Sequence, residues 1–200
     1  MRKKILAFTA IRSEYDLLSG LFKMLNADQD IEFKIIVSGA HLSERGGHTV
    51  KDIEQDGLDI LARINTLTES DTKASRIKSG SHLLCKAIDI VDEYKPDMII
   101  YAGDREEGIA AAIACNYMNV LFAHIAGGDP VWGNADDPVR FAISKLAHIH
   151  FTFTKKYYQN LLNIGEEKFR ICNSGNPSLD NIRDTEKLSL IRFNKKLKVN

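Results

Sequence analysis

Apolar residues come in short runs separated by polar, glycine-bearing breaks, and these runs alternate with segments whose apolar positions recur every three to four residues. Met98–Ala102 (MIIYA) and Val120–Ile125 (VLFAHI) have strand length, and each ends in a loop carrying charge and glycine. Gly103-Asp104-Arg105 follows the first and Gly127-Gly128-Asp129 the second. Between them Glu106–Asn116 is rich in alanine and free of proline, which predicts a helix. Strand, helix, strand makes a βαβ unit, whose crossover sets the strands parallel and the connection right-handed. Parallel neighbours deliver their C-terminal loops to one rim, and on that rim of an open α/β sheet ligands bind where strand order reverses. The acids of both loops are therefore candidates for one shared site.

The alternation continues on either side. Lys4–Thr9 predicts a first strand, and Leu18, Leu21, Phe22 and Leu25 recur at helical spacing behind Ser13, a suitable N-cap. Phe33–Val37 predicts a second strand and Leu58–Ile64 a short third. Leu83, Leu84, Ala87, Ile88 and Val91 form a helical core stripe that Tyr94-Lys95-Pro96 terminates. A helix running to Leu146 has Asp136 or Asp137 as its cap. His150–Thr154 predicts a strand, Lys155–Asn163 a helix and Phe169–Asn173 a last strand before Gly175-Asn176-Pro177, a hinge or domain border. The result is an α/β fold with a mainly parallel, Rossmann-like sheet. From Ser178 onward too few residues follow to build a second domain.

Composition narrows the function classes. The 27 basic and 27 acidic side chains cancel, leaving no electrostatic footprint for nucleic acid or an anionic membrane. The KKLK run near the C-terminus reads as a solvated helix end or tail. No apolar run approaches the roughly 20 residues that span a bilayer, and the strand after Met1-Arg2-Lys3-Lys4 is too short for a signal-peptide core, so a cytoplasmic protein is expected. Cys85, Cys115 and Cys172 make no metal-type pair and read as buried reduced thiols. His148 and His150 lie two apart beside a β-like run in which successive side chains point to opposite faces, and no structural zinc is expected there. The turn after the first strand lacks G-x-G-x-x-G, so no dinucleotide fingerprint is present. It offers Arg12 instead, at the mouth of a helix, where it could pair with phosphate beside the free N–H groups of the first turn. A plain surface charge is the other reading of that arginine. The paired glycines of Arg45-Gly46-Gly47-His48 mark a flexible loop or a close approach to a ligand.

Several motifs now stand in order: T-x-x-R-x-E-Y at Thr9–Tyr15, S-x-x-H at Ser38–His41, I-E-Q-D at Ile53–Asp56, Gly103-Asp104-Arg105, H-I-x-G-G at His124–Gly128, D-D-x-x-R-x-A-I-x-K-L-x-H at Asp136–His148, and G-N-P at Gly175–Pro177. Together they resemble the UDP-N-acetylglucosamine 2-epimerase family, most closely the hydrolysing branch that starts sialic-acid-type sugar biosynthesis. The resemblance implies the N-terminal half of a two-domain fold like that of the B-type glycosyltransferases. Residues 1–175 would form the N-terminal Rossmann-like domain, and 176–200 the hinge and the start of a C-terminal UDP-binding domain. The implied reaction eliminates UDP from a UDP-2-acetamido sugar and hydrates the 2-acetamidoglucal with inversion at C2. The products would be UDP and a free N-acetylmannosamine-type sugar.

The same resemblance assigns residues. Asp104 and Asp136 correspond to the catalytic aspartates and Arg12 to the diphosphate-side arginine, while Glu14, His41, Arg105, His124 and Arg140 fall in substrate-binding motifs. Abstracting a C2 proton needs a base within hydrogen-bond reach, and the departing diphosphate needs positive charge or N–H donors. The resemblance implies no metal and no organic cofactor, a UDP-2-acetamido sugar as partner, and a homo-oligomer. One departure stands out: the branch carries H-I-E-G-G-E, where this chain has Ala126 and then Asp129. Phe141 likewise replaces a histidine after Arg140. Asp129 takes the missing glutamate's role or serves as a turn residue. The departures leave open a modified sugar such as a diacetamido-bacillosamine nucleotide, altered acid–base machinery, or a non-catalytic UDP-sugar-binding homologue. An isolated half would be inactive.

Overall fold

The computed structural model describes residues 2–68, 70 and 72–184. The KKLK run and residues 185–200 of the expected hinge segment lie outside them. The strands are β1 (Lys3–Thr9), β2 (Ile31–Ser38), β3 (Ile60–Ile64), β4 (Met98–Ala102), β5 (Leu121–Ile125), β6 (Ile149–Thr152) and β7 (Ile171–Asn173). The helices are α1 (Arg12–Ala27), α2 (Val50–Gln55), α3 (Lys73–Tyr94), α4 (Glu106–Met118), α5 (Asp136–Leu146), α6 (Lys155–Asn163) and α7 (Ser178–Asp184). All strand pairs are parallel, in the order β3-β2-β1-β4-β5-β6-β7. The fold is the expected Rossmann-like α/β type, and strand order reverses between β1 and β4.

Strand period two explains the two cores. On one face Leu6, Phe8, Ile36, Ile99, Tyr101 and Phe122 pack under α3, α4 and α5. On the other Ala7, Ile35, Val37, Ile100 and Ile125 meet Tyr15, Leu18 and Phe22 of α1 and Val50 and Ile53 of α2. Tyr101 is fully buried, and Gly108 on α4 is what admits it: a Cβ there would lie 2.1 Å from its ring. After β7 the Gly-Asn-Pro turn leads into α7, which returns to α1 through Asn181 Nδ2 and the Asp16 carbonyl at 2.8 Å.

Four local expectations are corrected. Ser13 lies inside the first turn of α1, because Ile11 occupies the cap position and Glu14 folds back to accept from the Ala10 and Ile11 N–H groups at 2.8 and 3.4 Å. Neither aspartate caps α5: Asp137 Oδ1 accepts from the Val131 N–H at 2.6 Å, and Asp136 is drawn to an arginine on α3. Ile88, at 40% exposed, leaves the core stripe that Leu83, Ala87 and Val91 keep. Cys85 and Cys172 are exposed and only Cys115 is buried, since Cys85 lies on the outer side of α3 and Cys172 on an edge strand. Strand limits also shift: the third begins at Ile60, and the last at Ile171 after a 3-10 turn over Lys168–Arg170. Among the described residues no helix is long and apolar enough to cross a membrane.

Candidate active site

The rim beyond β4 and β5 carries a charged cluster built on one arginine. Arg140 projects from the second turn of α5 and is 8% exposed. Its Nη2 bonds to the Asp104 carboxylate, and its Nη1 lies 3.1 Å from Asp129 Oδ2. The two loop acids expected to share a site therefore meet on a single guanidinium. A desolvated arginine needs paired charge, and two carboxylates supply it. Its Nε is buried without a hydrogen-bond partner among the described residues. Asp104 turns only one oxygen to Arg140; Oδ1 accepts no hydrogen bond from any described residue.

Asp136 begins α5 one turn before Arg140 but belongs to a second network. Arg76 of α3 pairs with Asp136 and, at 2.6 Å, with Glu106 at the start of α4. Bonding to Glu106 pushes the guanidinium's pKa above its ordinary value. Arg76 also borders a cleft of about 1040 Å³ formed by the loop after β2, the segment after β3, the start of α3 and Arg105–Glu106. Arg45, Lys73, Arg76 and Arg105 line it together with Thr66, Thr68, Thr72 and Ser75. Such a wall, cationic and rich in hydroxyls, suits an anionic, polyhydroxylated ligand. Among the described residues no three His, Cys, Asp or Glu side chains group as metal ligands.

The other sequence candidates divide between surface and interior. Arg12 is exposed and pairs with Asp16 at 3.2 Å, whereas Asp104 and Asp129 pair with Arg140. Arg105 faces the cleft, 3.2 Å from both Glu106 and Glu107. Glu14 is buried and accepts from the Tyr101 hydroxyl at 2.7 Å. Burial, reinforced by the nearby Glu107 charge, lifts its carboxyl to about 7 and outweighs the donors that would lower it. His41 is wholly buried between Thr9 and Thr49 hydroxyls at 2.9 and 2.7 Å, and burial lowers its pKa to about 4. His124 is also wholly buried, with Nε2 2.8 Å from the Gly103 carbonyl and Nδ1 3.0 Å from Ser144 Oγ. Ala126 is buried at φ 66°, an uncommon conformation for a residue with a Cβ.

Sequence reasoning missed Arg76, Tyr101 and Ser144. Arg76 lies 30 and 60 residues from its two acids, and no local pattern marks such pairs. Tyr101 and Ser144 read as a strand apolar position and an ordinary helix serine. The D-D-x-x-R-x-A-I-x-K spacing does hold a signal for Ser144, because i+4 from Arg140 places both on one helical face.

Comparison with known proteins gives this geometry its context. The family model described as UDP-N-acetylglucosamine 2-epimerase matches residues 23–199. A Campylobacter jejuni protein, GDP/UDP-N,N'-diacetylbacillosamine 2-epimerase (hydrolyzing), is 35% identical over 98% of this chain and 53% of its own length. A Legionella pneumophila UDP-N,N'-diacetylbacillosamine 2-epimerase (hydrolyzing) is 36% identical over 91% of this chain and 48% of its own. The crystal structure of UDP-GlcNAc 2-epimerase from Neisseria meningitidis bound to UDP-GlcNAc superposes with a TM-score of 0.78 at 19% identity, covering 91% of this chain and 50% of that one. The chain thus spans about half the length of the relatives it matches, and its fold is that of one half of a B-type glycosyltransferase-like molecule.

Proposed function

Because this chain belongs to the UDP-N-acetylglucosamine 2-epimerase family, we propose that it is the N-terminal domain of a hydrolysing nucleotide-sugar 2-epimerase. Residues 1–175 are that domain, and 176–200 lead into a C-terminal UDP-binding domain. The protein eliminates UDP from a UDP-2-acetamido sugar and hydrates the resulting 2-acetamidoglucal with inversion at C2, releasing UDP and a free N-acetylmannosamine-type sugar. The reaction is cytoplasmic and feeds sialic-acid-type sugar synthesis. The observation that carries this reading is the gathering of Asp104 and Asp129 on Arg140, one helical turn from Asp136, at the rim where an open α/β sheet binds ligands.

In this reading Asp104, fixed through one oxygen and open at the other, takes the C2 proton. Asp136, beside Arg76 at the edge of the cleft, serves the hydration step, with Asp129 in place of the absent glutamate at Ala126. Arg12 and the cleft arginines receive the diphosphate and stabilise it as it departs. Two relatives above one-third identity carry diacetylbacillosamine names, and this chain departs from the hydrolysing pattern at Ala126 and Phe141. Both points favour a 2,4-diacetamido sugar nucleotide over UDP-N-acetylglucosamine.

The test is UDP release by the full-length protein from both nucleotides. Asp104→Asn is expected to lower kcat by about 100-fold or more, the range of a lost general base. Unchanged release would remove Asp104 from proton transfer. A protein that binds UDP yet releases none from either nucleotide would be the non-catalytic homologue.

The protein is also proposed to be a homo-oligomer that associates through α3. Ile77 and Ile88 are 69% and 40% exposed on its outer side beside Cys85. Lys73 and Lys78 lie at the N-terminal end of this stripe and Asp89, Asp92 and Glu93 follow it, so a second copy crossing antiparallel brings opposite charges together.

A further inference from the structure

The branch motif H-I-x-G-G suggests a histidine that touches substrate, yet His124 is wholly buried and both ring nitrogens meet protein atoms. A carbonyl oxygen can only accept, so the 2.8 Å contact with Gly103 makes Nε2 the protonated nitrogen. Nδ1 is then an acceptor, and Ser144 Oγ, 3.0 Å away, donates to it. Gly103 is the residue before Asp104, and its carbonyl lies in the peptide plane from which the Asp104 backbone starts. Rotation of that plane would swing the carboxylate.

We infer that His124 is a positioning residue for Asp104, acting through the Gly103 carbonyl. This rests on the function proposed above. Asp104 is then held at two points: Arg140 grips the carboxylate and His124 fixes the peptide at its root. Both supports return to one helix, since Ser144 follows Arg140 by a single turn of α5; its one hydroxyl proton, directed to His124 Nδ1, has the Arg140 carbonyl at 3.1 Å as the competing acceptor. The geometry leaves no slack around the imidazole. A Cβ at position 127 would come within 3.1 Å of Ser144 Oγ and 3.2 Å of His124 Nδ1, so Gly127 is the residue that lets the two meet. Burial lowers the pKa of His124 to about 3, so the ring stays a neutral, fixed donor while Asp104 exchanges its proton.

Two substitutions separate positioning from plain core packing. A glutamine amide places its nitrogen near imidazole Nε2, whereas an asparagine amide reaches only the Nδ1 position. In the full-length protein His124→Asn is expected to lower kcat for UDP release about 30-fold, the scale of a sub-ångström to 1 Å misplacement, with KM little changed. His124→Gln is expected to restore most of that loss, and neither variant adds a new limb to the pH profile between 6 and 8. Thermal melting of both variants is measured alongside. If His124→Asn does not fold, Ser144→Ala, which frees the ring without removing it, is expected to lower kcat several-fold at constant KM. Equal rates for the two His124 variants, or a loss confined to KM, would overturn the inference while leaving the epimerase reading intact. Absence of UDP release by the wild-type protein would overturn that reading, and the inference with it.

Discussion

At the scale of single residues, Glu14 carries the clearest pH signature. Its carboxyl rises from 4.5 to about 7, chiefly through burial. A raised acid favours the fold below its unfolded pKa, and that contribution disappears as pH climbs through the folded value. Relative to Glu14→Gln, the wild-type protein should therefore lose about 3 kcal/mol between pH 4.5 and 7. His41 and His124 act in the opposite sense: lowered to about 4 and about 3, they favour the fold above 6.5 and lose that contribution as pH falls through those values. Urea unfolding of both proteins at pH 5 and 8 isolates the Glu14 share, because the histidines are common to the two; parallel stabilities would refute it. Glu14 was read from sequence as a substrate ligand, since a motif names a residue type at a position but not its neighbours. Its contact with Ala10 is local, but the one with Tyr101 depends on β4 lying beside β1, which no local pattern encodes.

Elements were more legible than the contacts between them. The strands at Met98 and Val120 and the helix at Lys155 were evident from apolar runs and periodicity, because their buried faces are truly apolar. The first half of α3 was not, since Ser75, Ser79 and Gly80 are its buried residues and they present no hydrophobic stripe. Small residues there let α3 and α4 approach closely: a Cβ on Gly80 would meet that of Glu106 at 3.1 Å. The seam between α4 and β4 is tighter still. Gly108→Ala would force a methyl group into the buried Tyr101 ring, and a loss of about 2 kcal/mol is expected from overpacking. Chemical denaturation gives the value directly, and a change within about 0.5 kcal/mol, as at ordinary surface sites, would mean that the ring moves aside.

For the whole molecule, the class and the parallel sense of the strands followed from the alternation of strands and helices, the strand order did not, and the chain spans about half of its relatives. The proposed α3 interface is tested at the same scale. Light scattering of the wild-type protein should give an oligomer, and Ile88→Lys, placing charge within the stripe, should shift it toward the monomer without altering its circular dichroism. An unchanged mass would exclude α3 as the contact.

The reversal of strand order between β1 and β4 also bears on how the chain is made. β1 acquires β2 soon after both leave the ribosome, but its other edge waits for β4, where Ile5 pairs with Met98 and Ala7 with Ile100. At common elongation rates of about 5–20 residues per second that edge stays open for roughly 5–20 s. During this interval an apolar strand with unpaired N–H and C=O groups is available to other nascent chains. The arrangement that places a ligand crevice between β1 and β4 thus leaves the first strand made waiting longest for its second neighbour, and couples its exposure to the pace of translation.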